Sequence, residues 1–198
     1  LIPPPWPAPL AADPVRGEVS VPGSKSASAR SLLLAAMADA PSVLSGVLAS
    51  RDTSLIQAGL TILGARFEDT GDRLTVFPAT EITGGGRIDC GLAGTVMRFL
   101  PPLAALAEAP TEFFGDPAAS QRPMAPLLGA LAELGAEVSL PHILPFSVAR
   151  GQFCGGAVSL DASGSSQFIS ALLLSGARFP DGISVTHRPA EKGTVPFS

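Results

Sequence analysis

The sequence predicts an α/β (α+β) chain made of repeated strand–helix units, and three observations carry that expectation. First, SLIQAGLTILGARFED (54–69) and PMAPLLGALAELGAEVS (123–139) are both helical patterns that end in Leu-Gly-Ala and run into a strand. Their triplets begin at Leu63 and Leu134, 71 residues apart. Second, a turn and an apolar helix lie upstream of each: GSKSASARSLLLAAMA (23–38) and CGLAGTVMRFLPPLAALA (90–107), with Arg30 and Arg98 68 residues apart. Third, short runs rich in β-branched and aromatic residues, bounded by Gly and Pro, fit between the helices as strands.

The elements are justified in chain order. LIPPPWPAPL opens the chain with no basic segment or small-residue cleavage site, so residues 1–14 are expected to be a flexible Pro-rich arm. EVSV (18–21) reads as a strand with Val19 and Val21 inward. Pro22-Gly23 breaks it, and Lys25 then falls in the first turn of a buried helix. SVLSGV (42–47), the helix of 54–64, ARFED (65–69) and LTVFP (74–78) complete a first unit at about 18–78. GRIDC (86–90), the helix of 90–107, TEFFG (111–115), the helix of 123–134, AEVSL (136–140) and FSVAR (146–150) make a second at about 86–150. Each unit is thus strand, helix, strand, helix, strand, strand. A third, at 156–198, has GAVSLDA (156–162), the serine-rich helix start SGSSQFISALLLSGA (163–177) and the strand ISVTH (183–187), and then stops. A repeat cannot bury its apolar helix face without neighbours, so either something else completes the third unit or the sequence is a fragment, and a fragment is expected.

Composition narrows the function classes. Of the chain's 198 residues, 46% are hydrophobic and 15% charged, which is globular rather than disordered. A net charge of -4 argues against a general nucleic-acid or anionic-membrane surface, so an anion site must be built locally. No apolar run reaches the ~18 residues of a membrane span. Cys90 and Cys154 are too few for a disulfide framework, and with His142 and His187 standing alone no metal site is expected. The compartment expected is reduced and cytoplasmic.

Three helix starts carry the candidate chemistry: Ser24-Lys25-Ser26 with Arg30, Gly94-Thr95 with Arg98, and Ser163-Gly164-Ser165-Ser166-Gln167. Each offers hydroxyls and unpaired amides at the positive end of a helix dipole, and two add an arginine one turn on. A single such start is more often just a helix cap, with Ser24 the plain example. Three in equivalent places of a repeat point instead to a shared anion site. Arg122, in the loop GDPAASQRPMAP (115–126), adds a planar fork suited to carboxylate or phosphate, although alone it would be read as a surface arginine.

These residues carry a family resemblance. PGSKSxxxR at 22–30, AGTxxR at 93–98, QRP at 121–123 and SSQF at 165–168 stand in order and at family-like spacing, so the chain resembles the N-terminal part of the 5-enolpyruvylshikimate-3-phosphate (EPSP) synthases. The resemblance runs from about residue 15 to about 188, only half the usual family length. It implies the enolpyruvyl transferase fold, an inside-out α/β barrel of βαβαββ units in each of two domains, with 15–198 one substrate-binding domain and the C-terminal domain absent. It implies transfer of the enolpyruvyl group of phosphoenolpyruvate to shikimate-3-phosphate, on the route to chorismate and the aromatic amino acids, in an enzyme inhibited by glyphosate. Lys25, Ser26, Arg30, Ser165, Ser166 and Gln167 match shikimate-3-phosphate-binding positions. Lys25, Gly94, Arg122 and Gln167 match phosphoenolpyruvate-binding ones. It also implies no cofactor, a monomer at full length, and an acid and base in the other domain, so that this chain alone binds without turning over. Ala29 and Leu92 depart from the Asn common at those places, and EKGTVPFS (191–198) fits the family pattern poorly.

Three alternatives differ at named residues. The sister transferase acting on UDP-N-acetylglucosamine carries a reactive Cys where this chain has Ala118-Ala119-Ser120-Gln121, and Lys-Asn where it has Lys25-Ser26. A P-loop kinase needs G-x-x-x-x-G-K-[ST], which GSKS lacks. A non-catalytic half-domain that binds a phosphate ligand has the same motifs without the second domain, and the downstream reading frame separates it from the enzyme.

Overall fold

The computed structural model describes residues 6–141 and 143–189, so His142 and the segment 191–198 lie outside the described residues. Three sheets surround a helical centre. Strands β1 (Ser42–Ser45), β2 (Arg66–Asp69) and β3 (Arg73–Phe77) form an antiparallel sheet in the order β1-β3-β2. Strands β4 (Arg87–Asp89), β5 (Thr111–Phe114), β6 (Glu137–Val138) and β7 (Phe146–Ala149) form the second, ordered β4-β5-β7-β6, with β4 parallel to β5. Strands β8 (Gly156–Leu160) and β9 (Ile183–His187) pair in parallel as the third.

The first helix after each sheet's leading segment points inward: α1 (Lys25–Ala36), α3 (Gly94–Phe99) and α6 (Gln167–Ser175) pack on one another. Of these, α3 is the axis, with Thr95, Val96, Met97, Arg98 and Phe99 all buried. The other long helices join neighbouring sheets: α2 (Arg51–Ile62) packs on β4, and α5 (Ala125–Glu133) on β8. One continuous core results, from Leu32 and Leu33 through Ile56 and Phe99 to Phe168 and Leu172.

The duplication is visible at atomic detail. Both Leu-Gly-Ala triplets end a helix in the same cap: Ala65 N donates to Leu60 O and Ala136 N to Leu131 O, both at 3.0 Å. Gly64 and Gly135 turn the chain at φ +107° and +96°, a region that only glycine enters cheaply. The second and third sheets share another turn. Gly91 N donates to Asp89 Oδ1 and Ser163 N to Asp161 Oδ1, each at 2.8 Å, just before α3 and α6.

Two expected elements differ. The helix of 90–107 is broken into α3 and α4 (Pro101–Ala104), because Pro101 and Pro102 have no amide to donate back into the preceding turn. The strand at 18–21 is not formed. Although Gly23 abuts Gly46 O at the end of β1, nothing covers either face of 18–21, and Val19 and Val21 are 81% and 80% exposed. A ladder there would lack packing, and Pro22 would contribute no donor to it. Leu34 of α1 and Leu173 of α6 also remain exposed on two helices that pack together.

Candidate functional site

The starts of α1, α3 and α6 carry the predicted residues, and the three helices reach them from different parts of the chain. At α1, Ser24 is the cap, its Oγ accepting from Ala27 N at 3.3 Å, which settles the plain reading of that serine. Lys25 is exposed and ion-paired with Asp52 of α2 at 3.1 Å. Arg30 donates to Ser26 O at 3.2 Å and to Ser26 Oγ, and its guanidinium stands 5.1 Å from the centre of the Phe99 ring. That stacking holds the α1 residues against α3.

Around Gly94 three side chains converge. A Cβ on Gly94 would lie 2.9 Å from Arg98 Nη1, 3.0 Å from Arg122 Nη1 and 3.7 Å from Gln167 Oε1. The two guanidinium nitrogens are therefore no more than about 6 Å apart, a repulsion on the order of a few kcal/mol at an effective dielectric of about 20. Arg98 is only 8% exposed, donates to Gln167 Oε1 at 2.8 Å, and lies 5.3 Å from the centre of the Phe168 ring. Burial first, and Arg122 second, hold its guanidinium below the ordinary arginine pKa. Arginine stays charged even so.

Among the described residues, no carboxylate is within ion-pair distance of Arg30, Arg98 or Arg122, whereas Arg51, Arg66 and Arg87 are paired with Asp116, Glu68 and Glu112. Three buried polar atoms near the cluster also have no hydrogen-bond partner among the described residues: Arg98 Nε, Thr95 Oγ1 and Ser163 Oγ. Like charges facing each other beside unfilled donors form a site for an anion. The loop bearing Arg122 is fixed by Arg51, whose Nη1 and Nη2 donate to Asp116 at 3.1 and 3.3 Å. Just before α6, Ser165 Oγ accepts from Gln167 N at 3.3 Å, and Gly164 approaches Pro123, next to Arg122.

The structure thus brings Gly94, Arg122 and Gln167 together with Ser165 and Ser166 alongside, while Lys25 is turned to Asp52. Sequence reasoning saw Arg98 as part of a helix start but did not choose it as a site residue. Its signal was available: a charged residue inside an apolar helix, at the place repeated from Arg30. Asp52 was not picked out at all. No three His, Cys, Asp or Glu side chains gather as metal ligands among the described residues.

Comparison with known proteins gives the family. The model of the family described as EPSP synthase (3-phosphoshikimate 1-carboxyvinyltransferase) matches residues 10–193. The chain belongs to the EPSP synthase family. A curated relative, the 3-phosphoshikimate 1-carboxyvinyltransferase of Mycobacterium ulcerans, is 52% identical over 197 residues, covering 97% of this chain and 46% of that protein. The chain therefore spans about half the length of this EPSP synthase relative. An EPSP synthase structure from Acinetobacter baumannii superposes with a TM-score of 0.76 at 25% identity, over 90% of this chain and 42% of that one. The enolpyruvyl transferase NikO of Streptomyces tendae, at 20% identity and a TM-score of 0.56 over 80% and 37%, shares the fold. The fold is the enolpyruvyl transferase fold.

Proposed function

We propose that this chain supplies one face of the active site of a 3-phosphoshikimate 1-carboxyvinyltransferase. In that reaction the 5-hydroxyl oxygen of shikimate-3-phosphate bonds to C2 of phosphoenolpyruvate and a proton adds at C3. The tetrahedral intermediate then expels inorganic phosphate and loses a C3 proton to give the enol ether. The observation that carries the reading is the convergence of Arg98, Arg122 and Gln167 about Gly94, with no carboxylate among the described residues within ion-pair distance of the two arginines. Both substrates bear a phosphate and a carboxylate, so the cluster has ligands of the right charge.

In this reading Lys25, Ser26, Arg30, Ser165, Ser166 and Gln167 hold shikimate-3-phosphate, and Lys25, Gly94, Arg122 and Gln167 hold phosphoenolpyruvate. Lys25 must leave Asp52 to do so. Because Lys25 is exposed and Asp52 only half-buried, exchanging the pair for a substrate phosphate costs little. The general acid and base come from outside these 198 residues, in the half of the enzyme that closes over the site. The protein acts in the cytoplasm, as a monomer, on small molecules only.

The test is complementation. Residues 1–198 mixed with the C-terminal half of a family member should form enolpyruvylshikimate-3-phosphate from the two substrates, and neither part alone should. A mixture that stays inactive while each part binds its own substrate groups would contradict the assignment. The sister activity is checked in the same assay with UDP-N-acetylglucosamine as acceptor, which should give no product.

A further inference from the structure

We propose that Arg178 is a positioning residue, a clasp that fixes the third unit against the first and so sets the spacing between the shikimate-3-phosphate groups of α1 and those at the start of α6. The inference rests on the reading above, in which both sets hold that substrate. The other two junctions of the repeat are made by helices, α2 packing on β4 and α5 on β8. Among the described residues no such helix leads from β9 back to the first sheet, and the third unit meets the first through α6 on α1 and through Arg178.

The last carbonyls of a helix have no partner within it and carry the negative end of its dipole, so a cation with donors alone is favoured there. At the end of α1, Ala36 O accepts from Ala79 N at 3.1 Å, and the next carbonyl, Met37 O, accepts from Arg178 Nη1 at 3.1 Å. The same guanidinium reaches Ala79 O and Thr80 O at 3.5 Å, longer contacts on the segment that follows β3. One fork thus ties the turn after α6 (Gly176–Arg178) both to the cap of α1 and to the chain leaving the first sheet. Among the described residues no carboxylate is within ion-pair distance of Arg178, so its charge is spent on backbone carbonyls. The base of the fork is also held: Phe179 is buried and meets Phe153 edge-to-face, with ring centres 4.8 Å apart. Apolar packing of α6 on α1 is non-directional and lets the helices slide, whereas hydrogen bonds to fixed carbonyls set one placement. Without the clasp, Ser165, Ser166 and Gln167 lose their fixed distance from Lys25, Ser26 and Arg30.

Lys and Met at position 178 have unbranched stems of similar length and differ in whether the head donates. In the whole natural polypeptide carrying these residues, Arg178→Met is expected to weaken shikimate-3-phosphate binding roughly threefold to thirtyfold in calorimetry well below the Tm, the range of couplings carried through packed elements. Arg178→Lys should recover most of that loss. Without any ligand, hydrogen exchange at Ala79 N and Phe179 N, on the two sides of the clasp, should quicken in Arg178→Met, while the amides joining β5 to β7 exchange as in the wild type.

Unchanged exchange at Ala79 and Phe179 would overturn the clasp. Faster exchange or a lower Tm with wild-type affinity for shikimate-3-phosphate would overturn the positioning role, as would equal losses of affinity with Lys and Met. Should Arg178→Met fail to fold, Arg178→Gln, whose amide ends two bonds short of the guanidinium nitrogens, is read in its place. A wild-type protein that does not bind shikimate-3-phosphate would instead strike at the functional reading, and hydrogen exchange alone would then decide the clasp.

Discussion

At the scale of single residues, the site is a set of cations whose environments differ. Lys25 is 59% exposed in an ion pair, so Lys25→Ala should leave stability almost unchanged. If Lys25 contacts both substrates as proposed, the same change in the complete enzyme should lower kcat/KM about a hundredfold or more. Steady-state kinetics beside a thermal melt separates the two effects. At Gly94, an added methyl would meet the ends of two flexible arginine side chains, which can shift. Gly94→Ala should therefore fold normally but weaken phosphoenolpyruvate and glyphosate together, and inhibition titrations with glyphosate check it. The two cysteines differ more sharply. Burial, with Asp89 adding to it, pushes the Cys90 thiol up to about 12, while Cys154 is exposed. Native protein should accept one equivalent of a thiol reagent, at Cys154, by mass spectrometry. The folded pKa of Cys90 lies above its unfolded one, so its contribution to stability is complete below about pH 8.5 and fades as pH rises toward 12. Arg98 was legible as an odd charge in an apolar helix; its pairing with Gln167 was not, because 69 residues separate them and only the packing of α3 on α6 closes that distance.

At the scale of elements, local chemistry predicted what local chemistry controls. Helix caps and strands β2, β3 and β5 to β9 stand within a few residues of where hydrophobic alternation and glycine turns put them. The helix of 90–107 broke because the apolar pattern was weighed above Pro101-Pro102, and the strand at 18–21 failed because a strand is defined by a partner that its own residues do not specify. The matched caps give a direct test of the duplication. A Cβ at Gly64 would meet Glu81 O at 2.9 Å, and at Gly135 it would meet Gln152 backbone at 2.9 Å. Gly64→Ala and Gly135→Ala should each destabilise by roughly 1–3 kcal/mol, and by similar amounts, in chemical denaturation. A loss at only one of them would show that the two caps are not equivalent.

At the scale of the whole molecule, three inward helices pack on one another and the starts of α3 and α6 meet around Gly94, so that the repeat brings together parts that mean little singly. The family was legible because four motifs stand in order at family-like spacing, and the fold because two units repeat with a period near 70 residues. The proton-transfer groups that the proposed reaction needs were not legible, since no residue of these motifs was matched to that role. Purified 1–198 is accordingly expected to bind shikimate-3-phosphate weakly, at millimolar concentrations, and to turn over nothing. The central claim, that Arg30, Arg98 and Arg122 form one anion-binding face, is tested most directly by following arginine side-chain 1H–15N signals while shikimate-3-phosphate is added. Saturable shifts at those three, with a common dissociation constant and with the ion-paired Arg66 and Arg87 unmoved, are the predicted result. Shifts that never saturate, or that are as large at Arg66 and Arg87 as at Arg98 and Arg122, would contradict it.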